Sequence, residues 1–199
     1  EAAVRGDTVR YRAVFDPGAG RVEGHEPPDL RVPASEAPAV QRVAAALKLA
    51  GRPPGDAIAA VRRHFELHFQ YATWQSGTGN RASTPLAGFL LDTRAGHCEY
   101  FATATVLLLR AAGIPARYAA GFSVQEWSPL EQAYVVRERH AHDWARALVD
   151  GRWIDVDTTP PQWFADEAQR ASSFWQPLAD RWSWLVDSYE RWQDGEPNA

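Results

Sequence analysis

The stretch Gly96-His-Cys98-Glu-Tyr-Phe-Ala-Thr-Ala-Thr-Val-Leu-Leu-Leu-Arg110 opens a predicted helix that carries the only cysteine of this 199-residue chain. A glycine turn ends at Gly96 and strong helix formers follow, so the thiol is predicted to lie in the first helical turn. There the macrodipole and the free backbone N–H groups favour a thiolate, the nucleophilic form of cysteine. The alternative is a small buried hydrophobic residue, which is the ordinary role of a free cysteine.

The composition excludes several classes of protein. Apolar residues make up 45% of the chain and aromatic residues 12%, enough for a sizeable core in one domain. The net charge of −4 argues against a nucleic-acid partner. No apolar run reaches the roughly 18 residues that would span a membrane. A single cysteine allows neither an internal disulfide nor a cysteine-rich zinc site, and no cofactor is expected.

The order of predicted elements indicates an α+β fold. Helical spacing predicts helices over 39–50, 56–71 and 98–112. The period then changes, which predicts strands over 117–124, 133–137, 141–149 and 153–156. Helices that precede an antiparallel sheet are typical of the α+β class.

One domain is expected over 1–199, with its core at about 30–160. Residues 1–29 hold an N-terminal strand (8–15) and the start of a Pro/Gly-rich connection, and 163–199 form a Trp-rich helical tail. An apolar stripe runs along this tail, at Leu178, Trp182, Leu185, Tyr189 and Trp192. The stripe predicts packing on the domain or, alternatively, a partner-binding or membrane-proximal helix. A flexible loop is expected over 76–83.

A cysteine nucleophile needs a base, and the chain offers six histidines: His25, His64, His68, His97, His140 and His142. His25 lies in the Pro-rich connection and is expected to be solvated. His64 and His68 have the i, i+4 spacing of metal ligands, but no third ligand is evident. His97 adjoins the cysteine and projects about 100° away from it, so it would line the site rather than act as base.

The predicted hairpin selects one histidine and one aspartate. If Asp150-Gly151 is a two-residue turn, the numbers of facing residues sum to 301. His142 and Asp157 then project to the same face as diagonal neighbours, with Cβ atoms about 7 Å apart. That distance allows a side-chain hydrogen bond.

The same register sets aside the competing polar residues. His140 shares the face but stands one pleat farther away, and Asp155 is displaced toward the turn. Asp143 projects to the opposite face. Asp157 would accept a hydrogen bond from one ring nitrogen of His142, whose other nitrogen would pair with the thiolate. The alternative is an ordinary strand with polar residues on a solvated face.

These residues resemble a known family. The segments Gly96-His-Cys98-Glu-Tyr-Phe-Ala, Ala141-His142-Asp-Trp144 and Trp153-Ile-Asp-Val-Asp157-Thr-Thr-Pro160 are similar to motifs of the transglutaminase-like superfamily, and above all of its bacterial membrane-anchored members. The resemblance covers about residues 30–160. It implies a papain-like α+β core, with the nucleophile at the N-terminus of a central helix packed on an antiparallel sheet.

The resemblance implies that Cys98 is the nucleophile, His142 the general base and acid, and Asp157 the orienting residue. Two positions depart from the family pattern: Asp143 replaces the usual Ala, and Thr158 the usual Pro. The register puts both on the face away from the triad, so the chemistry is expected to survive.

The oxyanion of the reaction would be stabilised by the backbone N–H of Cys98. A second oxyanion donor, often an aromatic side chain in this superfamily, is predicted at Trp74 or Gln75. Trp144 either lines the site or packs beneath the histidine.

The implied reaction is acyl transfer from glutamine amides of a protein or peptide, through a Cys98 thioester, to an amine. The same triad could instead use water, as a cysteine peptidase or amidase that hydrolyses a peptide or a cell-envelope amide. A non-catalytic peptide-binding scaffold is the third hypothesis. Related proteins imply a bacterial, extracytoplasmic domain, periplasmic or at the cell surface, of a membrane-anchored parent. The sequence leaves the oligomeric state open.

Overall fold

The computed structural model describes residues 2–5, 8–11, 24–72, 83–129 and 132–163. Strands β1 (Ala2–Arg5) and β2 (Thr8–Tyr11) pair antiparallel. The predictions for Trp74, Gln75, the loop over 76–83 and the apolar stripe of the tail lie outside the described residues.

Three helices build the first half of the core. A 3₁₀ turn (Pro27–Leu30) leads to α1 (Ala37–Ala46) and α2 (Pro54–His68), and α4 (Cys98–Ala111) packs against both helices. Both α1 and α2 start two residues before their predicted positions, because proline fits the first helical turn. Helix α4 begins where the sequence predicts and ends beside Gly113, whose φ of 79° suits a helix terminus.

A parallel pairing that the sequence does not predict fixes the entry to α4. Strand β3 (Gln70–Tyr71) pairs with β4 (Ala95–Gly96), and a short helix α3 (Pro85–Gly88) with a π turn (Phe89–Thr93) precedes β4. The predicted helix over 56–71 therefore ends at His68. A Cβ on Gly96 would come within 3.1 Å of the buried Phe89 ring, so glycine lets this strand lie directly on the core.

The second half is antiparallel sheet. Its three-stranded part has the order β5 (Ala116–Phe122), β8 (Ala141–Val149), β9 (Arg152–Val156). A separate hairpin joins β6 (Glu126–Ser128) to β7 (Ala133–Val135), and a 3₁₀ turn (Glu138–His140) leads into β8. The predicted α+β class is confirmed.

The predicted hairpin register is confirmed. Val149 pairs with Arg152, and the ladder continues to Ala145 opposite Val156. Asp150 and Gly151 have φ values of 50° and 75°, as a two-residue turn between twisted strands requires.

The core lies between α4 and one face of this sheet. Ala145, Ala147 and Val156 are fully buried on that face, against α4. Beyond α4, a cluster of aromatic rings joins α2, the π turn and α4, with centroids 4.8–6.2 Å apart: Phe65, Phe69, Phe89 and Phe101. Such rings bury large apolar areas and hold the start of α4 rigidly. Among the described residues, no helix is both long and apolar enough to cross a membrane.

Candidate active site

The sole cysteine occupies the first position of α4. Its predecessor His97 has extended backbone angles and contributes no side-chain cap to the helix. Cys98 is half-buried, and the backbone N–H of Glu99, in the first turn, interacts with its sulfur. This interaction lowers the pKa of the thiol, as a helix N-terminus is expected to do.

On the sheet, the side chains of His142 and Asp157 meet. His142 Nε2 lies 2.7 Å from Asp157 Oδ2, and the backbone N–H of Thr159 donates to Asp157 Oδ1 at 2.9 Å. Burial by itself would raise the pKa of Asp157, but these hydrogen bonds hold it below its usual value. The carboxylate therefore fixes the imidazole through Nε2.

The second ring nitrogen of His142 is available for chemistry. Nδ1 is buried and has no hydrogen-bond partner within the described part of the chain. The ring stacks on Trp163, at a centroid distance of 4.2 Å and an interplanar angle of 1°, and lies nearly parallel to Trp144 at 6.2 Å. A buried nitrogen without a partner is costly unless a reacting group uses it.

In the structure, the Cys98 thiol contacts Asp143 and not the predicted base His142. Cys98 Sγ lies 3.6 Å from Asp143 Oδ2, within hydrogen-bond distance for sulfur. The prediction that Asp143 points away from the reacting groups is wrong. Strand alternation does place Asp143 and His142 on opposite faces of the sheet. However, the face that carries Asp143 is covered by α4, and α4 carries Cys98. Thr158 also turns toward α4, where its hydroxyl lies 2.7 Å from that of Thr105.

The carboxylate also changes the ionisation of the thiol. The pKa of Cys98 is raised to about 11: burial contributes most, the charge and hydrogen bond of the Asp143 carboxylate add to it, and the backbone N–H of Asp143 acts in the opposite direction. Burial and this carboxylate therefore oppose the thiolate that the helix N-terminus favours.

Tyr118, on β5, completes this side of the site. Burial raises the pKa of its phenol, and so does a hydrogen bond with the Asp143 carboxylate. Tyr118, Asp143 and Trp163 were not among the predicted site residues. Trp163 follows Asp157 by six positions, just beyond a Pro-Pro pair. A turn there could have been expected to return the chain to the site.

The remaining predicted residues have other surroundings. Trp144 donates from Nε1 to Asp155 Oδ1 at 3.0 Å and flanks the His142 ring. His97 lies 3.9 Å from the Glu99 carboxylate and contacts the edge of a tyrosine ring. His140 belongs to the 3₁₀ turn rather than to a strand, and its buried Nδ1 accepts from a backbone N–H at 3.2 Å.

The model of the transglutaminase-like superfamily matches residues 41–158. A protein-glutamine gamma-glutamyltransferase of Pseudomonas aeruginosa is 33% identical over 133 residues, which are 66% of this chain and 20% of that protein. The uncharacterized protein YebA of Bacillus subtilis is 34% identical over 90 residues, or 43% of this chain and 12% of that protein. This chain thus spans a fifth or less of the length of either curated relative.

Among solved structures, the crystal structure of the periplasmic domain of TgpA from Pseudomonas aeruginosa matches with a TM-score of 0.60. The sequences are 31% identical, and the match covers 72% of this chain and 49% of that one. A second crystal structure of the same domain, bound to ethylmercury, gives the same TM-score and identity and covers 68% of this chain and 50% of that one.

Proposed function

The chain belongs to the transglutaminase-like superfamily, and from this membership we propose that it transfers the acyl group of glutamine side chains through a Cys98 thioester. Its predicted papain-like α+β core is confirmed by the family match and the TgpA structure. The observation that carries the proposal is the state of His142. Asp157 holds one ring nitrogen at 2.7 Å, while the other is buried and has no partner among the residues that the structure describes. His142 also directly precedes Asp143, whose carboxylate contacts the thiol.

In the first half-reaction, Cys98 exchanges Asp143 for His142 Nδ1 as its hydrogen-bond partner. The thiol proton moves to Nδ1 as sulfur attacks the amide carbon of the glutamine side chain, forming a carbon–sulfur bond. The carbon–nitrogen bond then breaks, and ammonia leaves with the proton that His142 held. Asp157 stabilises the imidazolium through Nε2 and is not itself protonated.

The developing oxyanion needs donors at the helix start. The backbone N–H of Cys98 lies at the N-terminus of α4, where no helical carbonyl is available to it. We assign it as the first oxyanion donor. Trp74 and Gln75 stay candidates for the second, because they follow β3, which is paired with the strand that enters α4.

In the second half-reaction, a primary amine attacks the thioester carbon. Its proton passes to His142 Nδ1 and then to the departing sulfur of Cys98, as a new amide bond replaces the thioester. An amine is proposed as acceptor because the curated relative at 33% identity is named a protein-glutamine gamma-glutamyltransferase. No cofactor enters either step.

We further propose that the domain works outside the cytoplasm, as part of a membrane-anchored bacterial parent that meets protein or peptide substrates there. Support comes from TgpA, whose matching part is described as a periplasmic domain.

The test is incubation with a glutamine-containing peptide and a labelled primary amine, comparing wild type with Cys98→Ala and with Asp150→Asn. Asp150 is an exposed turn residue, so its variant controls for loss of one carboxylate. We expect incorporation by wild type and Asp150→Asn only. Peptide cleavage or conversion of glutamine to glutamate without incorporation would instead support a peptidase or amidase. No Cys98-dependent product from the folded protein would favour a binding scaffold.

A further inference from the structure

Asp143, the residue after the proposed base His142, contacts the thiol of Cys98. Cys98 Sγ and Asp143 Oδ2 are 3.6 Å apart, and the backbone N–H of Asp143 also interacts with the sulfur. One residue of β8 therefore contacts the thiol through both its main chain and its side chain. Meanwhile Nδ1 of the adjacent His142 has no partner among the described residues.

We propose that Asp143 is a positioning residue that holds the Cys98 thiol apart from His142, so that the resting protein carries a neutral, slowly reacting nucleophile. This inference rests on the proposed function in taking Cys98 as the nucleophile and His142 as its base. A carboxylate accepts a thiol hydrogen bond but repels a thiolate, so it stabilises the protonated form of cysteine. Alanine at this position could do neither.

The elements around the thiol carry other titratable groups. Glu99 on α4 is a second carboxylate, 65% exposed, and His97 lies 3.9 Å from that carboxylate. On β5 the Tyr118 phenol bonds to Asp143 and is kept neutral there.

A resting thiol of this kind has a consequence for catalysis. Sulfur must leave Asp143 before His142 can remove its proton, so substrate entry and activation of the nucleophile are coupled. In papain-like pairs where imidazole holds the cysteine at rest, the thiolate forms before substrate arrives. Here the balance between Asp143 and His142 decides which partner the sulfur has.

The test is the pH profile of Cys98 alkylation by iodoacetamide, which needs no substrate and reports the thiolate fraction directly. Asp143→Asn removes the charge at constant shape, and Asp143→Ala removes both the charge and the hydrogen bond. Asp150→Asn is the matched control for charge, and His142→Ala removes the base.

For the wild type we expect an alkylation midpoint above the ordinary cysteine value of about 8.5. Both Asp143 variants should lower that midpoint by about one pH unit, which makes alkylation about tenfold faster near neutral pH. Asp150→Asn and His142→Ala should leave it within about half a unit.

The proposal is overturned if the wild-type midpoint lies at or below that of free cysteine, or if neither folded Asp143 variant lowers it. A midpoint that rises by a full unit in His142→Ala would also overturn it, because that result shows an imidazole-held thiolate at rest. The proposed function has its own readout: if Cys98→Ala still incorporates amine, acyl transfer by this thiol is refuted, whatever the alkylation profile.

Discussion

The imidazole of His142 lies parallel to the indole of Trp163, with an interplanar angle of 1° and a centroid distance of 4.2 Å. Trp163 is itself buried, so its ring covers one face of the imidazole with an apolar wall. His142 is 7% exposed, whereas its partner Asp157 is 43% exposed at the side chain. The stacked ring thus fixes the imidazole plane while the carboxylate remains open to solvent.

Replacing Trp163 tests whether the stacked indole holds the imidazole of His142 in place. Trp163→Ala should lower kcat/KM for amine incorporation about fivefold, because the stack contributes about 1 kcal/mol and its loss lets the imidazole rotate. Trp163→Phe keeps an aromatic face, so its kcat/KM should fall much less. Steady-state kinetics on variants with unchanged melting temperature would check the effect, and equal activity of Trp163→Ala and wild type would contradict it.

Gly121 gives Trp144 the room it needs beside His142. A Cβ at Gly121 would stand 2.9 Å from Cη2 of the Trp144 indole, which is held at its other side by Asp155. Gly121→Ala should therefore cost about 1–2 kcal/mol in the free energy of unfolding and disturb the neighbouring imidazole. Urea denaturation together with amine incorporation measures both effects. Adding Trp144→Phe, a smaller ring, should recover stability; no recovery would show that the clash is not the cause.

The hydroxyl pair of Thr105 and Thr158 links α4 to the segment after β9. The two oxygens are 2.7 Å apart and both residues are buried. Thr105→Val should lower the free energy of unfolding by about 1–2 kcal/mol, because it leaves the Thr158 hydroxyl without its partner. A double-mutant cycle with Thr158→Val should give a coupling energy of about 1 kcal/mol. Strictly additive losses would contradict this interpretation.

Asp29 and Arg117 form an ion pair that joins the 3₁₀ turn to the sheet. Arg117 donates from Nε and Nη2 at 3.0 Å each, and its guanidinium stacks 4.2 Å above the Trp153 ring. The Arg117 hydrogen bond lowers the pKa of the buried Asp29 carboxyl, against the effect of burial. A depressed native pKa contributes stability that is complete above the unfolded value of about 4 and is lost as pH falls through the native value.

Asp29→Asn should accordingly destabilise the protein by about 2 kcal/mol at neutral pH, since it removes a charge-assisted pair at a buried site. The difference from wild type should shrink as pH falls below about 4. Denaturation curves at several pH values test this, with the exposed Asp150→Asn expected to show neither effect. If the loss of stability in Asp29→Asn stayed constant down to acid pH, its cause would be lost packing and not the lost charge.

Local signals were enough to predict the elements that carry the site. The Asp150-Gly151 turn fixes the register of β8 and β9, because turn geometry and strand alternation are both short-range. The start of α4 at Cys98 follows from the glycine before it and the helix formers after it. The pairing of His142 with Asp157 at 2.7 Å follows from extending this register just beyond the paired residues.

Other features of the site depend on tertiary packing, which local sequence patterns do not predict. Alternation places Asp143 and His142 on opposite faces, but only the position of α4 determines which face meets the thiol. The burial of Cys98 and its contact with Asp143 likewise depend on tertiary packing, and a helix N-terminus reveals neither. The parallel pair of β3 and β4 was missed because each strand has two residues, too few for a periodic pattern.

The central claim is that Cys98 forms a thioester with a glutamine side chain. Acid-quenched protein, mixed with a glutamine peptide in the absence of amine, can be weighed by intact-protein mass spectrometry. We predict a mass increase equal to the peptide minus ammonia, located on Cys98, removed by hydroxylamine and absent from Cys98→Ala. An increase equal to only an N-terminal peptide fragment, or no adduct on folded protein whose Cys98 is alkylated by iodoacetamide, would contradict it.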